Sequence, residues 1–216
     1  MFRKTGSRIL LVIVLVSLGV LVQAAAKPEP MKQDNVHIRT WNQFMADILS
    51  LHERRIAGHT VKINSKVGGY ANQPDFYTEQ EFVDAKGRLL ARLQWERKLP
   101  ENLHAIELFI HDEQGRVIRD YAGAYLPHYR NAPTQTLVSL HQYNGELHAF
   151  RTFDASAEFI FESCSGTYQG KAVNIALDID EKEALFGKPD SIITSKSYTA
   201  CFKGLGQTAG IYLQPQ

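Results

Sequence analysis

His141 and His148 flank an Asn144-Gly145 pair in the run His141-Gln142-Tyr143-Asn144-Gly145-Glu146-Leu147-His148. Asn-Gly is the strongest short signal for a two-residue hairpin loop. With that loop at 144–145, Tyr143 lies opposite Glu146, Gln142 opposite Leu147 and His141 opposite His148. Opposed residues have Cβ atoms about 4.5–5.5 Å apart on one face. Two imidazoles, with Glu146 on the same face, form a nucleus for Zn²⁺ or Cu²⁺. A metal site needs three or four ligands, so the spacing falls short of one. The ordinary reading is two neutral histidines facing solvent or stacked on Tyr143 and Phe150.

Other reactive side chains are dispersed. Pairing across Gly115 sets Ile110 opposite Ile118, Leu108 opposite Asp120, Ile106 opposite Ala122 and His104 opposite Ala124. His104 and Asp120 are then roughly 13–14 Å apart along the strand, too far for a dyad. Asp120 is expected to be held by a backbone group or an arginine, as buried polar groups usually are. Glu107 is diagonal to Arg119, a cross-strand ion pair, and the preceding hairpin sets Tyr77 opposite Trp95. The chain has no G-x-S-x-G, H-E-x-x-H, P-loop or G-x-G-x-x-G. Asp178, Asp180, Glu181 and Glu183 lack the glycine of a calcium loop and read as helix capping. No catalytic residues and no cofactor are therefore assigned.

Two cysteines are present, Cys164 and Cys201. Cys164 sits in Glu-Ser-Cys-Ser-Gly with no basic neighbour to activate it. One disulfide between them is expected, closing a loop of about 37 residues worth about 3–4 kcal/mol on a chain-entropy model.

Binding is the better reading of the middle of the chain. Tyr121 and Tyr125 share one face of a strand, and His128, Tyr129 and Arg130 follow in the loop 126–133, Leu-Pro-His-Tyr-Arg-Asn-Ala-Pro. Aromatic rings with Arg119, Arg130 and Arg151 nearby suit a sugar, a peptide or a partner protein. That loop is the longest polar connection between good strands, and loops on rigid scaffolds carry binding residues.

The elements that must position these residues are readable from period and turns. Trp41, Phe44, Met45, Ile48, Leu49 and Ile56 recur at helical spacing. Thr40 with Gln43 fits a capping box and Gly58 a stop, predicting a helix over 41–57. Residues 61–67 then alternate with period two. Val83–Leu89 and His111–Val117 share the form D-x-x-G-R, a type I turn with a left-handed glycine and a bulge. Residues 153–159 are a degenerate copy in which Ala157 replaces the glycine, so a strained or different turn is expected there. Strands follow at 76–83, 88–97, 103–111, 116–125, 135–143, 146–153, 158–164 and 171–178. Asp180 and Glu183 cap a short helix ending at Phe186, and Ile192-Ile193 and Ile211–Leu213 are candidates for returning strands. Short loops make sequence neighbours spatial neighbours. The fold class is mainly β (α+β), with an N-terminal helix packed on a long antiparallel meander that is open or curls into a half barrel.

The chain has 216 residues, 44% of them hydrophobic and 22% charged, which suits globular structure. Residues 1–26 read as a signal peptide: Arg3, Lys4 and Arg8, an apolar run of 14 residues from Ile9 to Val22, then Gln-Ala-Ala-Ala. An inner-membrane anchor over residues 9–26 is the alternative, disfavoured because a span needs about 20 apolar residues. Residues 27–38 are expected to form a flexible leader and 39–216 one helix-plus-meander domain. Without the three leader cations, 21 basic residues face 23 acids, so a nucleic-acid partner is not expected. Three functions fit an exported (periplasmic or extracellular) chain. The first is a non-catalytic accessory protein that binds an envelope protein. The second is a carrier of a small hydrophobic ligand. The third is a metal-binding protein or enzyme using His141 and His148 with zinc or copper.

Overall fold

A computed structural model describes residues 36–128 and 130–216. The readings of residues 1–35, signal peptide and anchor included, lie outside the described residues. A helix, α1 (Val36–Ile56), is followed by nine strands: β1 (Lys62–Tyr70), β2 (Gln73–Val83), β3 (Leu89–Glu96), β4 (Leu103–His111), β5 (Val117–Ala124), β6 (Gln135–Asn144), β7 (Leu147–Asp154), β8 (Phe159–Tyr168) and β9 (Lys171–Asp178). They pair in sequence order, every pair antiparallel, in one sheet that does not close. Two short helices, α2 (Ile179–Leu185) and α3 (Lys196–Cys201), and two 3₁₀ turns complete the chain. The meander thus gains β1, from the alternating stretch after the helix. Ile192–Thr194 and Gly210–Leu213 are 3₁₀ turns, not returning strands.

One face of the sheet is roofed twice. Phe44, Met45, Ile48 and Leu51 of α1 are buried with Leu93, Ile106, Leu108, Tyr121 and Val138 of the middle strands. Gly123 makes the close approach possible, since a Cβ there would collide with the Met45 sulfur. Over β7 to β9 the roof is the C-terminal segment, with Cys201, Phe202 and Leu205 against Ala149, Cys164 and Ile175. The opposite face is open and carries the other parity of each strand.

The described part of α1 already includes Val36, five residues before the expected start. Ile38 is buried and residues 36–38 are helix instead of leader. Thr40 is inside the helix, its hydroxyl bonded back to the Val36 carbonyl (2.9 Å), so it does not cap. The α2 cap is likewise shifted. Asp178 accepts from the Glu181 N–H and Glu181 reaches back to the Asp178 N–H, a complete capping box two residues before Asp180.

The three D-x-x-G-R-like turns are alike. Asp84, Asp112 and Asp154 each accept from the backbone N–H four residues on, at 2.8–2.9 Å. Gly87 and Gly115 have φ of 81° and 82°, and Ala157 takes 73° in the same turn. Each turn inserts a bulge residue, which moves the register by one. Tyr77 therefore pairs with Glu96, Leu108 with Tyr121 and Phe109 with Asp120. A one-residue slip changes the face of a side chain. Asp120 consequently lies on the open face, away from the apolar one. Glu107 pairs with Arg92 instead of Arg119, at 2.5 Å.

Candidate functional site

Loop 126–133, with Trp41 of α1 and the strand ends beside it, borders an open groove of about 770 Å³. Trp41, Leu126, Ala132, Pro133, Leu137 and Ile160 form its apolar lining. Leu126 is 52% exposed and Ile160 37%, and both border the same groove, where they extend its apolar surface. Ile160 is the bulge residue between Phe159 and Phe161, because Phe153 pairs with Phe159 and Thr152 with Phe161. The bulge takes it out of the alternation and turns it to the groove.

The loop is pinned at three points. Glu96 is 1% exposed; it accepts from the His128 backbone N–H (3.1 Å) and forms an ion pair with Arg130. Asn42 of α1 donates to the Asn131 carbonyl (2.7 Å) and accepts from the Tyr125 hydroxyl (3.3 Å). Arg130 also lies 5.3 Å over the Tyr125 ring. Trp41 is fixed by its indole N–H, which donates to Ser156 (3.2 Å).

The sequence-derived binding residues separate under this geometry. Tyr121 is 0% exposed, with the Phe44 ring edge-on at 6.0 Å, so its side chain presents no surface. Tyr125 and Arg130 hold the loop in place. His128 has φ 61°, and its half-exposed ring meets Phe76 edge-on at 5.1 Å. Tyr129 lies outside the described residues. Trp41 and Ile160, which the sequence reading assigned to core and strand, are the side chains that shape the groove. Period analysis does not show Ile160, because its exposure comes from a bulge at an alanine-containing turn.

On the open face His141 and His148 do meet, in a register different from that expected. Tyr143 pairs with His148 and His141 with Phe150, because the hairpin loop is Gly145-Glu146. Only Gly145 there has positive φ, 63°, as in a II′ turn. Asn144 stays in the strand. Its amide donates to the carbonyls of Ala200, Cys201 and Lys203 at 2.9–3.1 Å, fastening the end of α3. The slip moves pairs by two, so face is kept and the histidines become diagonal neighbours.

His141 Nε2 is 2.5 Å from Asp120 Oδ2, and His141 Nδ1 is 3.0 Å from His148 Nε2. The His141 and His148 ring planes differ by 11° with centres 5.2 Å apart. That distance nearly equals the N···N contact plus the two ring radii, so the nitrogens face nearly head-on. Head-on nitrogens share a proton well, whereas joint metal ligands must converge on a third point. The groups run Asp120, His141, His148: His141 Nε2 donates to the carboxylate, and its Nδ1 shares one proton with His148 Nε2, His141 being the donor when it is charged. Burial, and then the His141 charge, hold His148 below the ordinary histidine pKa. Tyr143 stacks on His148 at 4.5 Å, with Arg116 4.6 Å above the Tyr143 ring. Among the described residues no group of three or more His, Cys, Asp or Glu side chains is arranged to hold a metal.

Cys164 and Cys201 are joined, and both are buried. Beside them Glu162, 0% exposed, accepts from Arg151 (2.8 Å), Lys182 (2.9 Å) and the Tyr198 hydroxyl (2.6 Å). Burial works to raise the Glu162 pKa, but these three donors together hold it below the usual range. Burial and the bond to Glu162 push Tyr198 up to about 12. Arg151 also donates to the Leu205 and Gly206 carbonyls, at 3.1 Å each. This buried cluster fastens the C-terminal roof to the sheet.

The chain matches no known family model, and no curated protein matches it. Among solved structures there is a match to a DUF3836 family protein from Parabacteroides distasonis, 13% identical. It covers 60% of this chain and 99% of that one, with a TM-score of 0.21, too low to carry an argument.

Proposed function

We propose that the protein is an exported, non-catalytic binding protein that takes an apolar segment of an envelope partner in the groove beside loop 126–133. The pinned, apolar groove carries this reading: its walls are preorganised, so ordering costs on binding are small. A volume of about 770 Å³ suits a few apolar side chains of a partner. The open sheet offers no barrel interior, which speaks against enclosure of a small hydrophobic ligand. The disulfide is consistent with an oxidising compartment. Among the described residues no helix is long and apolar enough to cross a membrane.

The test is a pull-down from native envelope with the wild type and a Leu126→Asp/Ile160→Asp variant, with intact-mass analysis of the recovered protein. A partner held by the wild type and lost by the variant, at nearly unchanged Tm, is the expected result, because exposed positions contribute little to stability. Identical capture by both proteins, or a stoichiometric small molecule on the wild type, defeats it. Export predicts a mature mass starting near Ala25 or Lys27.

A further inference from the structure

At the far end of α1 lies a second cavity, of about 580 Å³, with a different lining. Arg55 from the last turn of α1, His59 and Thr60 from the α1–β1 connection, and Lys86 and Arg88 from the β2–β3 turn surround it. Val61, Ala85 and Leu90 supply apolar wall. Its one acid is Asp84, which is already committed: it accepts from the Lys86 and Arg88 backbone N–H groups at 2.9 Å and from the Arg88 guanidinium at 2.7 Å.

Among the described residues Arg55 has no such partner. Its Nε is buried with no hydrogen-bond acceptor. Burial, then the charges of Arg119 and Arg88, lower its pKa. Arg119 is itself occupied, donating to the Gln216 carbonyl (2.6 Å) and stacked 4.0 Å over Tyr212. A basic residue in a last helical turn complements the helix dipole. That role is served by a solvated side chain, as Arg54 shows by bonding to Ser50, and requires neither burial nor crowding by other guanidinium groups. A half-buried cation among cations is stabilised by an anion that reaches its terminal nitrogens.

We infer that this pocket binds a phosphoryl group, with Arg55 as the central donor and Lys86 and His59 closing over it. Donors arriving from a helix, a connection and a turn suit a tetrahedral oxyanion, whose oxygens point out of one plane; a planar carboxylate would engage fewer of them. The apolar wall leaves room for a small organic body, so the chemistry is that of a phosphomonoester, either free or as a lipid headgroup.

The test uses the purified full chain at fixed ionic strength. Phenyl phosphate is titrated by calorimetry, with benzoate as the planar control, and flotation is measured on phosphatidylcholine vesicles with and without phosphatidic acid. Saturable phenyl phosphate binding that exceeds benzoate binding, and weakens about tenfold or more in Arg55→Gln, is expected for a charge-assisted donor. Lys86→Gln, a change at an exposed turn side chain, should weaken it several-fold. The Tm of Arg55→Gln should hold or rise, since repulsion is relieved. Flotation that needs phosphatidic acid and is lost in Arg55→Gln assigns the lipid source. No saturable binding in either arm, binding indifferent to Arg55→Gln and Lys86→Gln, or benzoate binding equal to phenyl phosphate overturns the inference.

Discussion

The two roofs on the covered face of the sheet are held by different physics. Over β4 to β6, α1 is secured by apolar packing: Phe44, Met45, Ile48 and Leu51 meet the middle strands and no buried ion pair joins them among the described residues. Over β7 to β9 the C-terminal segment has little helix to offer. It is held by a disulfide, a buried carboxylate with three donors, and the Asn144 amide on three carbonyls. The first roof tolerates repacking, because apolar contact is non-directional. The second is brittle: removing one member leaves others buried and unpaired.

The sharpest way to break the contrast is Glu162→Gln. It leaves Arg151 and Lys182 facing a neutral amide in the interior. A loss of about 3–5 kcal/mol is expected from denaturant unfolding, as for other broken buried pairs. An equal loss from a conservative α1 change such as Ile48→Val, where about 0.5–1.5 kcal/mol is expected, would erase the distinction. The same cluster has a pH signature. Glu162 is held below its unfolded pKa, so its contribution is present above that value and is lost as pH falls through the folded one.

Cys201→Ser comes next, with a loss of about 3–4 kcal/mol by the loop-closure account of a 37-residue separation. If the C-terminal roof is a separately fastened unit, the variant should first show raised amide exchange in residues 196–216, with α1 still protected. Uniform loss of protection would mean that the two roofs unfold together.

The same division explains what could be read in advance. Helix α1 and most strand positions were legible because periods of 3.6 and two record which face is buried. The disulfide was expected from two cysteines and an N-terminal run read as a leader. The registers were not. The D-x-x-G-R turn implies a bulge, and counting pairs without its extra residue put Asp120 on the wrong face. Asn144 was read for its tolerance of positive φ, yet its amide is used across 56–59 residues of sequence on the end of α3. Such long-range polar bonds leave no periodic trace. The groove was half legible: loop 126–133 stood out by length, while Ile160 reaches it only through a bulge and Tyr121 sinks under α1.

The smallest effect expected belongs to the open face, where neither roof applies. His52, His104, His111 and His148 all have pKa values lowered from 6.5, burial being the first cause in each. In the unfolded chain each binds its proton more readily than in the fold. Stability is therefore full above pH 6.5 and declines as pH falls from there through the lowered values, before the carboxylates titrate. Three of these four lower their pKa without His141; His148 alone owes part of its shift to it. His141→Gln removes that charge and keeps a polar side chain between Asp120 and His148. By NMR titration the His148 midpoint should move up toward 6.5, with the other three unchanged. The change in stability near neutral pH should stay within about 1 kcal/mol, since one partly exposed hydrogen-bonded contact is lost. A His148 midpoint that does not move would show that the two rings do not share a proton path, and the Asp120–His141–His148 chain would then be three independent surface groups.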